Sequence, residues 1–500
     1  MGCGLKMRGL YTPVTQIRRQ VFEEIARLAY EGGDYRRIED IPYKIIPGEI
    51  PRYRESVFKE RAIVGERLRL AMGLSLRDVG KPAPISKGIE DSAISEKYYE
   101  PPLINVISFA CDACAEKSYI VSENCRGCLA HPCTSVCPVK AVSIVEGFSH
   151  IDQEKCIKCG RCKEACPYDA ITKRERPCAA ACGVDAIESD HLGRAKINPN
   201  KCVSCGMCMV NCPFAAIADK SQIFQLIRAM EEGKEVIAIV APAFVGQFGP
   251  LATPDKIKEA LQILGFSMVY EVALGADMGA IAEAHHYVEK VPSELPFLLT
   301  SCCPSWSMLA KKYFPDIIGS ISNELTPMVA TARYVKERHP DAHVTFIGPC
   351  SAKKLEASRK TVRSDVDFVI TFEELMGMFV AKEIEFSDLE RSTSFHDATA
   401  TGRGYGVAGG VASAIEACIH EYYPAKEVKI DRAEGLSNCK KLLQMVKAGK
   451  RNGYLIEGMG CPGGCVAGAG TIIPINKAAI ALQNYKQTSS KKLPEKPEEV

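Results

Sequence analysis

Phe297-Leu298-Leu299-Thr300-Ser301-Cys302-Cys303-Pro304-Ser305-Trp306 is a short apolar run ending on two adjacent cysteines, a proline and the only tryptophan of the chain. Successive side chains on extended backbone point to opposite sides. If Cys303 faces a metal, Cys302 therefore faces another wall of the same cavity. The pattern recurs twice. Val344-Thr345-Phe346-Ile347 ends at Gly348-Pro349-Cys350, and Tyr454-Leu455-Ile456 leads through Glu457-Gly458-Met459-Gly460 to Cys461-Pro462-Gly463-Gly464-Cys465. In open α/β sheets, ligand sites lie beyond the carboxyl ends of strands. Three such ends, bringing four or five sulfurs together, predict one site.

The sequence around these runs has the same α/β texture. Val236–Val240 reads as a buried strand, Pro254–Gly265 as a helix and Val269–Val272 as another strand. Phe368-Val369-Ile370 followed by Thr371-x-x-Glu374 reads as a strand entering a helix through a capping box. The glycine-rich Gly402–Gly410 does not have the dinucleotide-loop spacing and follows no clear strand. Close packing of its backbone against a bulky neighbour is the better reading.

Composition excludes several classes. The chain of 500 residues is 46% hydrophobic and 25% charged, with a net charge of +2. That is an ordinary globular balance, and far less basic than a nucleic-acid scaffold requires. No apolar run approaches the roughly 18 residues of a membrane helix. The first residues, Met1-Gly2-Cys3-Gly4-Leu5-Lys6, have no signal-peptide core, so a cytoplasmic protein is expected. In a reducing compartment, 24 cysteines point to metal or redox chemistry rather than disulfides.

Sixteen of them lie between Cys111 and Cys212. Cys156-x2-Cys159-x2-Cys162-x3-Cys166-Pro167 and Cys202-x2-Cys205-x2-Cys208-x3-Cys212-Pro213 are bacterial ferredoxin runs, preceded by the variant Cys125-x2-Cys128-x4-Cys133-x3-Cys137-Pro138. In such runs three thiolates hold one 4Fe–4S cube and the fourth crosses to another. A zinc ribbon needs only two separated pairs. With Cys111, Cys114, Cys178 and Cys182 the count reaches four clusters of four. The expected sets are Cys125, Cys128, Cys133 with Cys166, and Cys156, Cys159, Cys162 with Cys137. The others are Cys202, Cys205, Cys208 with Cys182, and Cys111, Cys114, Cys178 with Cys212. If Cys111 and Cys114 are unligated, three clusters remain. Cys182 lacks the proline that follows the other crossing cysteines.

The predicted organisation is a helical N-terminal extension over 1–100, an α+β ferredoxin-like iron–sulfur domain over 105–220, an α/β domain over 221–485 and a disordered tail over 486–500. Ile17–Tyr30 reads as an amphipathic helix stopped by Gly32-Gly33. Ser56–Leu74 reads as a second helix, with its Arg and Glu side chains solvated. Asp78–Pro102 reads as a linker.

Taken together, Thr300–Trp306, Pro349-Cys350-Ser351-Ala352-Lys353-Lys354-Leu355-Glu356 and Glu457–Gly470 resemble the three active-site signatures of the iron-only (FeFe) hydrogenases, in order and in the C-x3-C spacing of the third. The resemblance covers roughly residues 105–475 and implies an iron hydrogenase large-subunit domain carrying an H-cluster. By that resemblance Cys303, Cys350, Cys461 and Cys465 bind a 4Fe–4S cube. Cys465 also bridges to a diiron subsite with CO, cyanide and a dithiolate amine. Lys353 donates to a cyanide, Met459 packs beside the irons, and Cys302, Glu283 and Ser322 carry protons, with His286 beyond them. The implied activity is reversible reduction of protons to H2. The implied partners are a soluble ferredoxin-type carrier and the hydrogenase maturation proteins. An H2 sensor or a non-catalytic iron–sulfur assembly protein of the same build are the alternatives. Gly348, Gly460 and Ala469 depart from the usual residues at their positions and mark a divergent branch. Cys3, Cys418 and Cys439 are left without a role.

Overall fold

The computed structural model describes residues 10–390, 395 and 398–495. Helix α1, Pro13–Glu31, starts on Pro13 after a Thr12 side-chain cap and stops at Gly32. Its face of Val21, Ile25 and Leu28 is buried. Helix α2 runs Val57–Ala71 behind Ser56, whose hydroxyl accepts from Phe58 N. Both helices join the hydrophobic core of the α/β region, against residues such as Phe224, Ile237 and Leu375.

The expectation of solvated charges on α2 is wrong. Glu60, Glu66, Arg67 and Arg69 are all buried. Their burial is sustained by dense pairing, as the cost of desolvating charge requires. Glu60 accepts backbone N–H groups of Arg52 and Arg54 at 2.8 and 2.7 Å. Arg69 donates to the carbonyls of Ile85 and Lys87 at 2.6 and 2.7 Å. Glu66 pairs with Arg77 at 2.6 Å. The segment read as a linker is correspondingly packed, with Ile85, Ile89, Ser92 and Ser95 buried.

Four two-stranded antiparallel ribbons build the cysteine-rich region. Ser118–Val121 pairs with Ile171–Arg174, Val142–Val145 with Phe148–Ile151, and Ile187–Ser189 with Ala195–Ile197. Ile104–Val106 pairs with Ile217–Asp219 and ties the two ends of the region together.

The α/β region contains two parallel sheets. Its strands are β1 Val236–Val240, β2 Met268–Glu271, β3 Leu298–Leu299, β4 His343–Gly348, β5 Phe368–Thr371, β6 Lys429–Glu434 and β7 Tyr454–Met459. One sheet has the order β2-β1-β4-β5 and the other β3-β7-β6. The registers put Ile347 opposite Val240 and Leu299 opposite Ile456. All five residues of β1 are buried, as a parallel strand covered on both faces requires. The helices that position the site are α3 Ala273–Lys290, α4 Pro304–Tyr313, α5 Ser351–Glu356, α6 Phe372–Ala381 and α7 Gly410–Tyr422. The capping box at the start of α6 is formed, Thr371 and Glu374 each accepting from the other's backbone N–H.

The glycine-rich run packs closely as expected: a Cβ on Gly406 would lie 2.6 Å from the Leu482 side chain and one on Gly409 2.4 Å from that of Arg432, while Gly402 and Gly410 lie against backbone, a Cβ there coming within 2.4 Å of Ala273 O and 2.0 Å of Gly404 O. The expectation for the chain's end needs correction. The tail expected to be disordered is bonded to the fold as far as Pro494, whose carbonyl accepts from the Tyr422 hydroxyl. Ala400 and Thr401 donate to the carbonyls of Lys491 and Lys492, and residues 496–500 of the tail lie outside the described residues. Cys3 also lies outside them. Among the described residues no helix is long and apolar enough to cross a membrane, and every cysteine is a free thiol.

Candidate iron–sulfur and catalytic site

Strand β3 ends at Leu299, and the chain turns through Cys302 to Cys303, the N-cap of α4. Strand β4 ends at Gly348, and Cys350 is the N-cap of α5. Strand β7 ends at Met459, just before Cys461 and Cys465. Two of the thiols thus stand at helix N-termini, where unpaired N–H groups favour negative sulfur. Trp306 explains the fixed approach of these ends. It is wholly buried, donates to Thr300 O at 3.0 Å and lies on Gly458, where an added Cβ would come within 2.0 Å of the ring.

Cys302, Cys303, Cys350, Cys461 and Cys465 line one cavity together with Lys353 and Met459. Its walls are almost entirely apolar. Burial pushes the Cys350 thiol up to about 11 and that of Cys465 to about 12, and the neighbouring thiols push further in the same direction. The Lys353 ammonium opposes this only in part, and sulfurs so placed are a donor set for a soft, positively charged iron core. Gly464, at φ +87°, lets the chain pass against Val407 and Ala408, where a Cβ would meet Ala408 N at 2.4 Å. Gly460 N donates to Cys303 Sγ at 3.4 Å. The residues present therefore fit a large iron–sulfur group. At Gly348, one of the departures from the usual residues, the ring of Phe346 occupies the space a side chain would need, 2.5 Å from an added Cβ.

Behind Cys302, Glu283 on α3 is buried, accepting from Ser301 N at 3.4 Å and bonded to Ser322. Burial, opposed by these hydrogen bonds, raises its carboxyl to about 7. The Cys302 thiol is pushed well above its ordinary value by burial, then by Cys303, Glu457 and Glu283. Lys353 is buried beside Glu356 at 2.7 Å and donates to Thr326 at 3.2 Å. Burial lowers its pKa, but Glu356 more than offsets this and leaves the ammonium above its usual range. His286 lies 4.0 Å from Glu324, whose backbone N donates to Ser322.

Three neighbours escaped the sequence reading. Glu324 carried no signal. Glu457 lay inside a quoted motif without a role, and the structure seats it on the N–H groups of Gly409 and Ala412, both at 2.7 Å, at the start of α7. Tyr405 was hidden in the glycine-rich run and lines the cavity.

In the cysteine-rich region the structure brings the thiols together in groups. Cys125, Cys128, Cys133 and Cys166 ring one cavity, and Cys111, Cys114, Cys178 and Cys212 another. Cys182, Cys202 and Cys205 act on Cys208, and Cys156 and Cys159 act on Cys162. Cys137 accepts from Ala141 N at 3.2 Å, as Cys182 does from Ala186 N at 3.3 Å. Such N–H···S bonds favour thiolate. The missing proline after Cys182 has a physical cause. Lys140, Asp169, Asp185 and Ala215 stand three residues beyond Cys137, Cys166, Cys182 and Cys212, and all four are left-handed. All four segments thus make the same turn. Gly183 replaces proline because residues 436–437 lie against it, where a Cβ would be 2.6 Å from Ser437 N.

Fold and site define an iron–sulfur type of protein in which groups of cysteines with 4Fe–4S binding motifs lie beside a thiol-lined cavity. Residues 234–469 match the family described as iron only hydrogenase large subunit, C-terminal domain, and residues 149–172 and 194–217 match 4Fe-4S binding domains. Iron hydrogenase 1 of Clostridium pasteurianum is 29% identical over 370 residues, 64% of each chain. The periplasmic Fe hydrogenase large subunit of Nitratidesulfovibrio vulgaris is 28% identical over 375 residues, 65% of this chain and 86% of that one. Protein NAR1 of Arabidopsis thaliana is 26% identical over 329 residues, 51% and 69% of the two chains. A solved structure of the FeFe-hydrogenase HydA1 from Chlamydomonas reinhardtii aligns with a TM-score of 0.44 at 24% identity, over 52% of this chain and 87% of that one. The match to the Clostridium protein spans just under two thirds of that protein's length. The chain is an FeFe-hydrogenase-like iron–sulfur protein.

Proposed function

We propose that the chain is a hydrogenase that interconverts two protons and two electrons with H2, the electrons arriving through 4Fe–4S clusters from a ferredoxin-type carrier. The observation that supports this most is Cys302 on the cavity wall beside Cys303, backed by a buried carboxyl poised near neutrality. Cys303, Cys350, Cys461 and Cys465 would hold a cube, and Cys465 would also bridge to a diiron unit with CO, cyanide and a dithiolate amine. When bound, that group supplies the redox-active irons at which protons and electrons combine. The chain's own residues govern the proton. Cys302 stays a neutral thiol because burial disfavours its anion, so it can hold a proton at the cavity wall. Glu283 exchanges protons near pH 7, as a relay there requires. Ser322 bonds to it, and His286 and Glu324 continue toward the surface. Lys353 brings a fixed positive charge to the cavity.

Protein matured anaerobically with the diiron unit is expected to show infrared CO and cyanide bands and to evolve H2 from reduced methyl viologen. Bands with full iron and no H2 would sink the enzyme reading.

A second reading draws on the likeness to NAR1 and, at 26% identity over 304 residues, to cytosolic iron-sulfur assembly component 3 of Bos taurus. On that reading the chain carries cubes without a diiron unit. Full cubes after maturation with no CO or cyanide bands would favour it.

A further inference from the structure

Tyr405 sits in the turn Gly404–Gly406, and its side chain lines the cavity with Cys302, Met459 and Cys465. It is 7% exposed, and its phenolic oxygen is buried with no hydrogen-bond partner. Leaving a buried hydroxyl unpaired costs about 1–3 kcal/mol, and nearly all such groups in folded proteins are paired. The apolar walls offer it nothing. The turn that carries the ring is tightly seated. Gly404 O lies against Gly410, and Leu482 against Gly406, where a Cβ would be 2.6 Å from its side chain. Glu283 and Cys302 are both near enough to act on the phenol, which places it where the proton route meets the cavity. Burial holds it in the neutral form, able to donate.

We propose that Tyr405 is a hydrogen-bond donor to the iron group held in this cavity, its acceptor a non-protein ligand atom of that group. The assignment rests on the hydrogenase reading and adds a neutral donor to the cation of Lys353. The unpaired oxygen is then a binding group awaiting its acceptor, which explains why a phenol and not a plain ring stands on an otherwise apolar wall.

Tyr405→Phe removes that one oxygen. In protein carrying cubes but no diiron unit, the hydroxyl has no bond to lose. The variant should therefore melt at the wild-type temperature or above it. In matured protein its infrared CO and cyanide bands should be displaced from those of wild type, and transfer from H2O to D2O should move the wild-type bands more than the variant's. A lower melting temperature in the cube-only form means the oxygen already has a protein partner and overturns the proposal. Coincident bands in matured wild type and variant, with equal solvent-isotope response, overturn it too. Wild-type protein with full cubes and no CO or cyanide bands fails the hydrogenase reading itself, a result read from a different sample.

Discussion

Glu283 is where burial, hydrogen bonding and function act on one side chain. Its carboxyl rises from 4.5 in the unfolded chain to about 7 in the fold. The folded state thus holds the proton more tightly. Stability contributed by this group is complete below about 4.5 and is lost as the pH rises through about 7. Glu283→Gln has no such loss. Relative to wild type it should gain up to roughly 3 kcal/mol between pH 5 and pH 8, read as a melting-temperature difference that grows with pH. A difference independent of pH would show that the carboxyl is not perturbed. Cys302 poses the complementary case, since no described bond depends on its sulfur. Cys302→Ala should keep the infrared bands of the matured protein and lower H2 turnover by about 10²-fold or more. Unchanged turnover would remove its relay role. The paired cysteines were legible because adjacency alone forces two directions on them. Glu324 was not, because only the fold brings it to His286.

Elements made of local signals were legible; those made by distant contacts were not. The apolar run of β1, the capping box of α6 and the glycine stop of α1 are written within a few residues. The burial of the charges on α2 depends on partners such as Ala215 and Ile217, some 150 positions away, to whose carbonyls Arg67 donates, so the sequence read as a solvated face. The docking of α1 is equally distant. Gly377 on α6 faces Phe22, where an added Cβ would lie 2.8 Å from the Phe22 backbone carbon and 3.0 Å from Glu23 N. This contact fixes the sign of a substitution. In an undocked helix Gly377→Ala should stabilise by about 1 kcal/mol, through helix propensity alone. With α1 seated on α6 it should instead destabilise by about 1–3 kcal/mol, as overpacking does. Thermal unfolding gives the sign, and proteolysis near Gly32-Gly33 should quicken in the variant.

Across the whole molecule the thiol groups form a graded series away from the cavity. Cys205 lines the cavity itself, so its group, with Cys182, Cys202 and Cys208, is nearest. Cys178 acts on Cys208, which puts the Cys111 group next. The remaining two groups share a small core of their own, with Tyr119, Val142 and Ile171, apart from the α/β region. At that end Cys159 is exposed, and Ile157 beside it is 59% exposed. On the proposed function, electrons are expected to enter at Cys159. If each group holds a cube, the loaded chain carries about 22 irons, five cubes and one pair. Cys159→Ala should remove about four of them and leave the fold of the α/β region unchanged, because none of its core residues belongs to that outer cluster. H2 formation driven by a ferredoxin should then fall steeply, while formation driven by reduced methyl viologen, which is small enough to reach other clusters, should hold. Cys205→Ala strikes the last link before the cavity and should depress both rates together. Equal losses with both donors in Cys159→Ala would place the entrance elsewhere.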